Sequence, residues 1–418
     1  MDLSTARNIV IIGGGQAAAQ ASASLRQWGY EGSLTLIGEE TALPYQRPPL
    51  SKAYLKGEMS EDRLYFKPHN WYEDQSITTH LGVIATVIDR SQRTVALSDG
   101  GAVPYDALII ATGSRPRPLP IPGADLTGVH DLRSLADVDR LRPEMVEGRR
   151  IAIIGAGYIG LETAAVARQQ GLDVTVLEMA GRVLARVTSP LMSAFYEALH
   201  GSHGVKIRTS ARVTAIKPGK TGAAAAVSLD DGADIPADIV LAGIGILPNQ
   251  ELAAEAGLAC KDGILVDRDG RTNDPRIFAA GDCARRPLVH YGRVGRLESV
   301  HNAIEQGKLA AAAIVGRDRP PEDTPWFWSD QYDVKLQIAG LSQGHDQVVV
   351  RGEPDSRAFA AFYLSEGTLI AVDAVNAGPE FLASKKLIQM RARLAPQVLS
   401  DMSVSMKEIA AEATKAAA

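Results

Sequence analysis

The sequence has little cysteine. Cys260 and Cys283 are the only two in 418 residues. They cannot supply a disulfide framework, and no CxxC or Cys/His spacing marks a metal site, so no metal is expected and a cytoplasmic location fits. Long apolar runs are also missing. The longest charge-free stretch, Asn8 to Leu25, is broken by Gly13, Gly14, Gly15, two Gln and two Ser, which excludes a membrane span. Its apolar start, Ile9 to Ile12, has no basic stretch before it, so no signal peptide is expected. Nor does one sign of charge dominate. With 44 Lys and Arg against 49 Asp and Glu, the net charge of −5 argues against general affinity for nucleic acid or an anionic membrane, and leaves any acidic partner to a local basic patch. Gly and Pro, at 39 and 22, are scattered rather than periodic, which excludes a collagen-like or low-complexity chain. What remains is an ordinary globular composition, 45% hydrophobic and 22% charged, of a length for several domains at about 100 to 200 residues each.

One unit occurs twice. Arg7 to Gly15 (RNIVIIGGG) is echoed by Arg149 to Gly157 (RRIAIIGAG). In both copies an apolar run of strand length enters a Gly-rich turn and an Ala-rich helix, which ends near Gly29 or Gly171. A second strand follows, Leu34 to Ile37 or Val174 to Leu177. Continuous apolar strands suit a parallel sheet covered on both faces, so the pattern predicts two doubly wound nucleotide-binding domains. In the second copy Gly155, Gly157 and Gly160 complete a GxGxxG. In the first, Gly13 and Gly15 are followed by Ala18 in the third place, a variant the motif allows. The glycines permit a tight turn and close approach to a pyrophosphate, and the helix start offers N–H groups and positive dipole. An acid closes each second strand, Glu39 or Glu178, placed to accept the hydroxyls of an adenosine ribose. Two dinucleotides are implied. Glu178 would repel the 2′-phosphate of NADP, favouring NADH, although Arg182 and Arg186 lie close in sequence.

Together with Arg47 to Lys52 (RPPLSK), Ala111-Thr112-Gly113, Ala242 to Gly245, Asp274 to Asp282 and Pro325 to Gln331 (PWFWSDQ), these motifs resemble the FAD-dependent, NADH-oxidising ferredoxin reductases of the oxygenase type, along nearly the whole chain. The resemblance implies a glutathione-reductase-like α/β fold, with two Rossmann-type domains and a C-terminal α+β domain. Residues 1–113 and 246–322 would form the FAD domain, 114–245 the inserted NAD domain, and 323–418 the C-terminal domain. The prolines at 116, 118, 120 and 122 independently mark an extended crossover before the second GxGxxG.

By the same resemblance, FAD contacts fall on Gly13, Gly15, Ala17, Glu39, Arg47, Lys52 and Ala85, then on Ala111, Thr112, Gly113 and Arg133, and finally on Gly281, Asp282, Val300 and Trp328. Asp282 would take a ribityl hydroxyl. NAD contacts fall on Gly155, Gly157, Ile159, Gly160, Glu162, Glu178 and Gly245. The catalytic candidates are Lys52, a cation for the negative charge that develops on the flavin, and Glu162, which would pair with it and orient the nicotinamide. Hydride transfer itself requires no acid or base.

Disulfide reductases of this architecture carry a redox-active Cys pair after the first nucleotide-binding unit, and residues 40–60 contain none. Cys283 reads as a small buried residue. The electrons must leave otherwise, and the resemblance implies a [2Fe-2S] ferredoxin that serves a cytochrome P450 or another oxygenase. Arg285, Arg286, Arg293 and Arg296, against the single acid Glu298, offer a docking patch to which Lys385 and Lys386 could add, although such runs also form plain solvated loops. Two other readings stay open: an NADH oxidase or quinone reductase, and a redox-sensing flavoprotein like apoptosis-inducing factor. In the C-terminal region, alternation at Val334, Leu336 and Ile338 predicts an antiparallel sheet, with a terminal helix anchored by Ile409.

Overall fold

A computed structural model describes residues 3–417. It divides into two units that are each discontinuous in sequence. The first comprises the chain up to Gln46, Ser60–Arg115 and Leu247–Asp323. The second comprises Arg47–Met59, Pro116–Ile246 and the chain from Thr324 onward.

The first unit is built on a parallel five-stranded sheet in the spatial order Ile277–Ala279, Ala107–Ile110, Asn8–Ile12, Ser33–Gly38, Ile77–Leu81. Alternate side chains feed two cores, which is why residues 9–12 and Ala107–Ile110, in the middle of the sheet, read as unbroken apolar runs. Ile9, Ile11, Leu34, Leu36 and Phe278 pack under the helices Gln16–Gln27 and Val300–Ile314. Val10, Ile12, Leu108 and Ile277 pack on the other face with Ile88, Val95 and Leu258. The two helices lie close because Gly307 has no side chain: a Cβ there would stand 2.7 Å from the Ala17 carbonyl oxygen.

The second unit repeats the plan with a parallel sheet ordered Lys206–Arg208, Asp173–Leu177, Arg150–Ile154, Ile239–Ala242, Val129–His130. Its C-terminal part is the antiparallel sheet the alternation predicts, ordered Trp326–Gln331, Val334–Gly340, Thr368–Val375, Ala358–Ser365, Gln347–Glu353. The helices Gly378–Gln389 and Met406–Ala417 cover it through Phe381, Leu387, Met406 and Ile409. Between those helices the chain is held by the buried Arg351, whose guanidinium donates to the carbonyls of Leu399, Asp401 and Val404. The five N–H donors of a planar guanidinium suit one Arg to several carbonyls at once. The fold is therefore α/β, with two nucleotide-binding sheets and a C-terminal α+β region.

Phe278 is fully buried between strand and helices. Phe278→Ala is expected to lower the unfolding free energy by about 3 to 5 kcal/mol in urea titrations, whereas Leu382→Ala, at a side chain 68% exposed, changes it by less than about 0.5 kcal/mol.

Candidate functional site

In the first unit, the turn after Asn8–Ile12 is held against the end of the neighbouring strand. Gly13 has φ 128°, and a Cβ there would lie 2.1 Å from the Ala111 carbonyl oxygen. Gly15, the N-cap of helix Gln16–Gln27, has no side-chain capping bond, and a Cβ on it would meet nothing within 4 Å. The helix start is thus uncapped above open space, the arrangement a pyrophosphate needs. Glu39 stands exposed just past the strand Ser33–Gly38. Gly281, with φ 86°, approaches the same helix, a Cβ there falling 3.2 Å from that of Ala17, and its N–H is taken by Gln306 Oε1 at 2.5 Å. Asp282 accepts from Ser114 Oγ at 2.8 Å. Thr112 and Gly113 are tied down by Asn249, whose carbonyl accepts the Thr112 hydroxyl at 2.7 Å and whose N–H reaches the Gly113 carbonyl at 3.0 Å. Val300 opens the helix capped by Ser299. Ala85 begins a strand of the antiparallel sheet Ala85–Asp89, Thr94–Leu97, Ala102–Pro104, apart from these glycine contacts.

The second unit repeats the turn. Gly155 has φ 105° with a virtual Cβ 2.3 Å from the Gly243 carbonyl oxygen, and a Cβ on Gly160 would lie 2.3 Å from the Gly155 carbonyl oxygen. Gly157 caps helix Tyr158–Gln169 without a side-chain bond and faces open space. Glu178 is drawn into the turn, its carboxylate accepting from Ala156 N at 2.7 Å and Ala180 N at 2.8 Å. Arg182 points inward to Ser193 Oγ and the Ala185 carbonyl, while the exposed Arg186 brings its guanidinium within 3.5 Å of the Cβ position of Gly245. Ile159 is 45% exposed on the first helical turn, unusual for its type.

Glu162 lies on this helix and is only 4% exposed. Its Oε2 accepts from Lys52 Nζ at 2.5 Å and from Ser51 Oγ at 2.6 Å, and its Oε1 from Ser329 Oγ at 2.6 Å. A buried carboxylate needs this full set of donors, and the ammonium balances its charge. Nearby, Arg47 donates to the Arg133 carbonyl at 2.7 Å, and Trp328 packs on Trp326 with ring centroids 5.4 Å apart. The Lys52–Glu162 pair expected from the sequence is thus made, and the sequence reading missed its neighbours. Ser329 and Gln331 were legible as two polar residues at i and i+2 on one strand face, beside the tryptophans. Ser51 sits next to Lys52 in the RPPLSK segment.

The arginine run is distributed differently from its appearance in sequence. Asp262, distant along the chain, bonds Arg285 at 3.0 Å and Arg296 at 3.4 Å, and Glu298 holds Arg296 at 2.5 Å. Arg286 is half-buried, and desolvation lowers its pKa. Arg293 is exposed, its guanidinium over the Tyr291 ring. In the second unit Lys385 stands 5.8 Å from the Trp326 ring centroid, and Lys386 is exposed. Cys283 is buried, its thiol bonded to the Ile110 and Ala280 carbonyls and its pKa pushed up by burial, so it is no reactive thiol. No helix among the described residues is long and apolar enough to cross a membrane.

Two dinucleotide turns, a buried Lys–Glu pair and no cysteine pair agree with the comparisons. Residues 7–307 match the family model of the pyridine nucleotide-disulphide oxidoreductases, and residues 326–410 match the reductase C-terminal model. The chain belongs to the pyridine nucleotide-disulphide oxidoreductase family. Its ferredoxin-reductase branch is shown by relatives of nearly equal length. Putidaredoxin reductase CamA of Pseudomonas putida is 44% identical over 97% of each chain, and rhodocoxin reductase of Rhodococcus erythropolis is 44% identical over 96% of this chain and 93% of its own. Among solved structures, the covalent putidaredoxin reductase–putidaredoxin complex matches with TM-score 0.96, 44% identity and coverage of 98% of this chain and 99% of the other. The ferredoxin reductase for the CYP199A2 system from Rhodopseudomonas palustris matches with TM-score 0.94 at 42% identity, covering 97% of this chain and 100% of its own. This member of the family is an oxidoreductase of the kind that uses FAD and NAD(P)H.

Two buried ionisable groups of the second unit titrate in opposite senses. Burial lowers His200 to about 4, so its neutral form adds stability that is complete above about pH 6.5 and is lost as pH falls toward 4. Burial raises Asp373 to about 6, although Thr188 and Tyr363 donate hydrogen bonds to it, so its neutral form adds stability that is complete below the ordinary carboxylate pKa and is lost as pH rises through 6. Between pH 4 and 6 the two slopes oppose each other. Urea unfolding of Asp373→Asn is expected to show a steeper loss of stability on acidification than the parent, and His200→Asn a shallower one. Parallel profiles for all three proteins would refute the assignment.

Proposed function

We propose that the protein takes a hydride from NADH and passes single electrons to a [2Fe-2S] ferredoxin that serves a cytochrome P450 or another oxygenase. The observation that carries this reading is the pair of uncapped glycine turns in a chain without a redox cysteine pair: two dinucleotides are provided for, and no dithiol stands between them and an outside acceptor. When bound, FAD supplies the conversion from a two-electron donor to a one-electron acceptor.

The chain's residues supply binding, orientation and charge. Gly13, Gly15, Ala17, Glu39, Ala85, Ala111, Thr112, Gly113, Gly281, Asp282 and Val300 are the FAD contacts proposed in the first unit. Backbone N–H groups at the start of helix Gln16–Gln27 face the pyrophosphate, and Glu39 takes the ribose hydroxyls. Arg47, Lys52, Arg133 and Trp328 are assigned to FAD in the second unit. Gly155, Gly157, Ile159, Gly160, Glu178 and Gly245 bind NADH, with the Glu178 carboxylate, anchored by two backbone N–H groups, disfavouring a 2′-phosphate. Lys52, fixed by Glu162, presents a cation where negative charge develops during hydride transfer. Docking of the acidic partner is assigned to the surface that includes Arg293, with Arg285, Arg286 and Arg296 held behind it by acids or by burial, and to Lys385 and Lys386. The domains proposed with this reading are residues 1–113 with 246–322, 114–245 and 323–418, although the segment Arg47–Met59 clusters with the second unit.

The purified holoenzyme is expected to reduce cytochrome c with NADH at a rate that rises at least ten-fold on adding an oxygenase-type [2Fe-2S] ferredoxin. NADH consumption in air that ignores every ferredoxin would favour an oxidase instead. Glu178→Arg is expected to raise kcat/KM for NADPH and lower it for NADH, each by about ten-fold or more, and unchanged selectivity would remove Glu178 from this role.

A further inference from the structure

Behind the Lys52–Glu162 pair the polar contacts continue, all within the second unit. Ser329 Oγ accepts from Gln331 Nε2 at 3.1 Å, Gln331 Oε1 meets His200 Nε2 at 2.8 Å, and His200 Nδ1 meets the Tyr332 hydroxyl at 3.3 Å. The direction of each bond is forced in turn. A carboxylate has no hydrogen to give, so the Ser329 hydroxyl must spend its only one on Glu162. Ser329 can then only accept, which requires the Gln331 amide to turn its NH2 toward it. That leaves Gln331 Oε1 facing His200, so His200 must donate from Nε2, and its Nδ1 is left to accept from Tyr332. Tyr332 is held in turn by the His203 ring, stacked on it at 3.8 Å. Every donor points the same way, from Tyr332 toward Glu162. Ser329, Gln331 and His200 are all buried, and aligned dipoles in such surroundings reinforce one another.

We propose that His200, Gln331 and Ser329 are positioning residues that hold the Glu162 carboxylate in one orientation, so that Lys52 is presented at a set place. The inference rests on the role assigned above to Lys52 and Glu162. It gives a buried glutamine and a buried neutral histidine a role that leucine, which would pack without needing partners, could not fill. Desolvation agrees, since it holds the imidazole neutral at neutral pH.

The inference is tested on the holoenzyme in two ways. Nitrogen-15 NMR of the imidazoles should show His200 neutral and carrying its proton on Nε2 from pH 5.5 to 8; a proton on Nδ1, or an imidazolium at pH 7, would overturn the chain. The second test follows flavin bleaching in single turnovers with saturating NADH, together with the flavin midpoint potential measured without NADH. Ser329→Ala and Gln331→Glu, the latter drawing the Ser329 hydrogen away from Glu162, should each slow the step by roughly ten-fold and shift the potential, leaving FAD content and NADH affinity unchanged. Ser329→Thr, which keeps the hydroxyl, should restore both. Lys52→Ala separates the two possible failures. If it slows bleaching and the Ser329 and Gln331 variants do not, the positioning chain is refuted while the role of Lys52 stands. If Lys52→Ala also bleaches at the parent rate, the reading beneath the inference fails with it.

Discussion

A helix begins with N–H groups that have no partner within the helix, and at two glycine turns this chain leaves such a start with open space in front of it. Two other helices are closed by a side chain: Ser134 and Asp137 form a reciprocal capping box on Leu135–Leu141, and Ser299 accepts from Asn302 N on Val300–Ile314. At Gly15 and Gly157 no side chain intrudes. The openness depends on contacts one residue pair back. Gly13 meets the Ala111 carbonyl and Gly155 the Gly243 carbonyl at distances no Cβ tolerates, so each turn folds flat onto the neighbouring strand and turns the helix start outward. The parallel sheets, with strand ends aligned on both sides of the turn, exist in a form that permits this approach.

The two buried carboxylates of the second unit show how differently one unit can treat the same group. Glu162 has an ammonium and two hydroxyls around it. Asp373 has the hydroxyls of Thr188 and Tyr363 and, among the described residues, no salt-bridge cation, so desolvation dominates its titration. Both connect the nucleotide-binding part to the C-terminal sheet, Glu162 through Ser329 and Asp373 through Thr188, beside the apolar contact of Tyr158 with Phe327. Directional bonds fix register where apolar packing alone would tolerate sliding.

What the sequence made legible was whatever repeats or recurs over short range. The doubled strand–turn–helix, the acids at Glu39 and Glu178, the alternation at Val334 to Ile338 and the buried character of Cys283 follow from spacing and residue type. What stayed hidden depends on partners far along the chain. Asp262 pairs with Arg285 and Arg296, whose own segment offers only Glu298 as an acid. His200 and Gln331 meet across 131 residues, and Thr188 and Asp373 across 185, with nothing local to announce either contact. The Lys52–Glu162 pair was reached through resemblance to known reductases, since no periodicity joins residues so far apart.

The chain passes from one unit to the other at 46/47, 59/60, 115/116, 246/247 and 323/324. The first unit's central sheet takes its edge strand from Ile277–Ala279, after the whole inserted segment has been made. The second unit takes Ser51 and Lys52 from near the start of the chain and Ser329 from its last quarter. Neither unit is therefore complete on a growing polypeptide until most of the sequence has left the ribosome. Early-made strands such as Asn8–Ile12 and Arg150–Ile154 must wait with apolar faces uncovered, which makes chain synthesis, rather than the finished molecule, the stage at which this architecture is most exposed to misassembly.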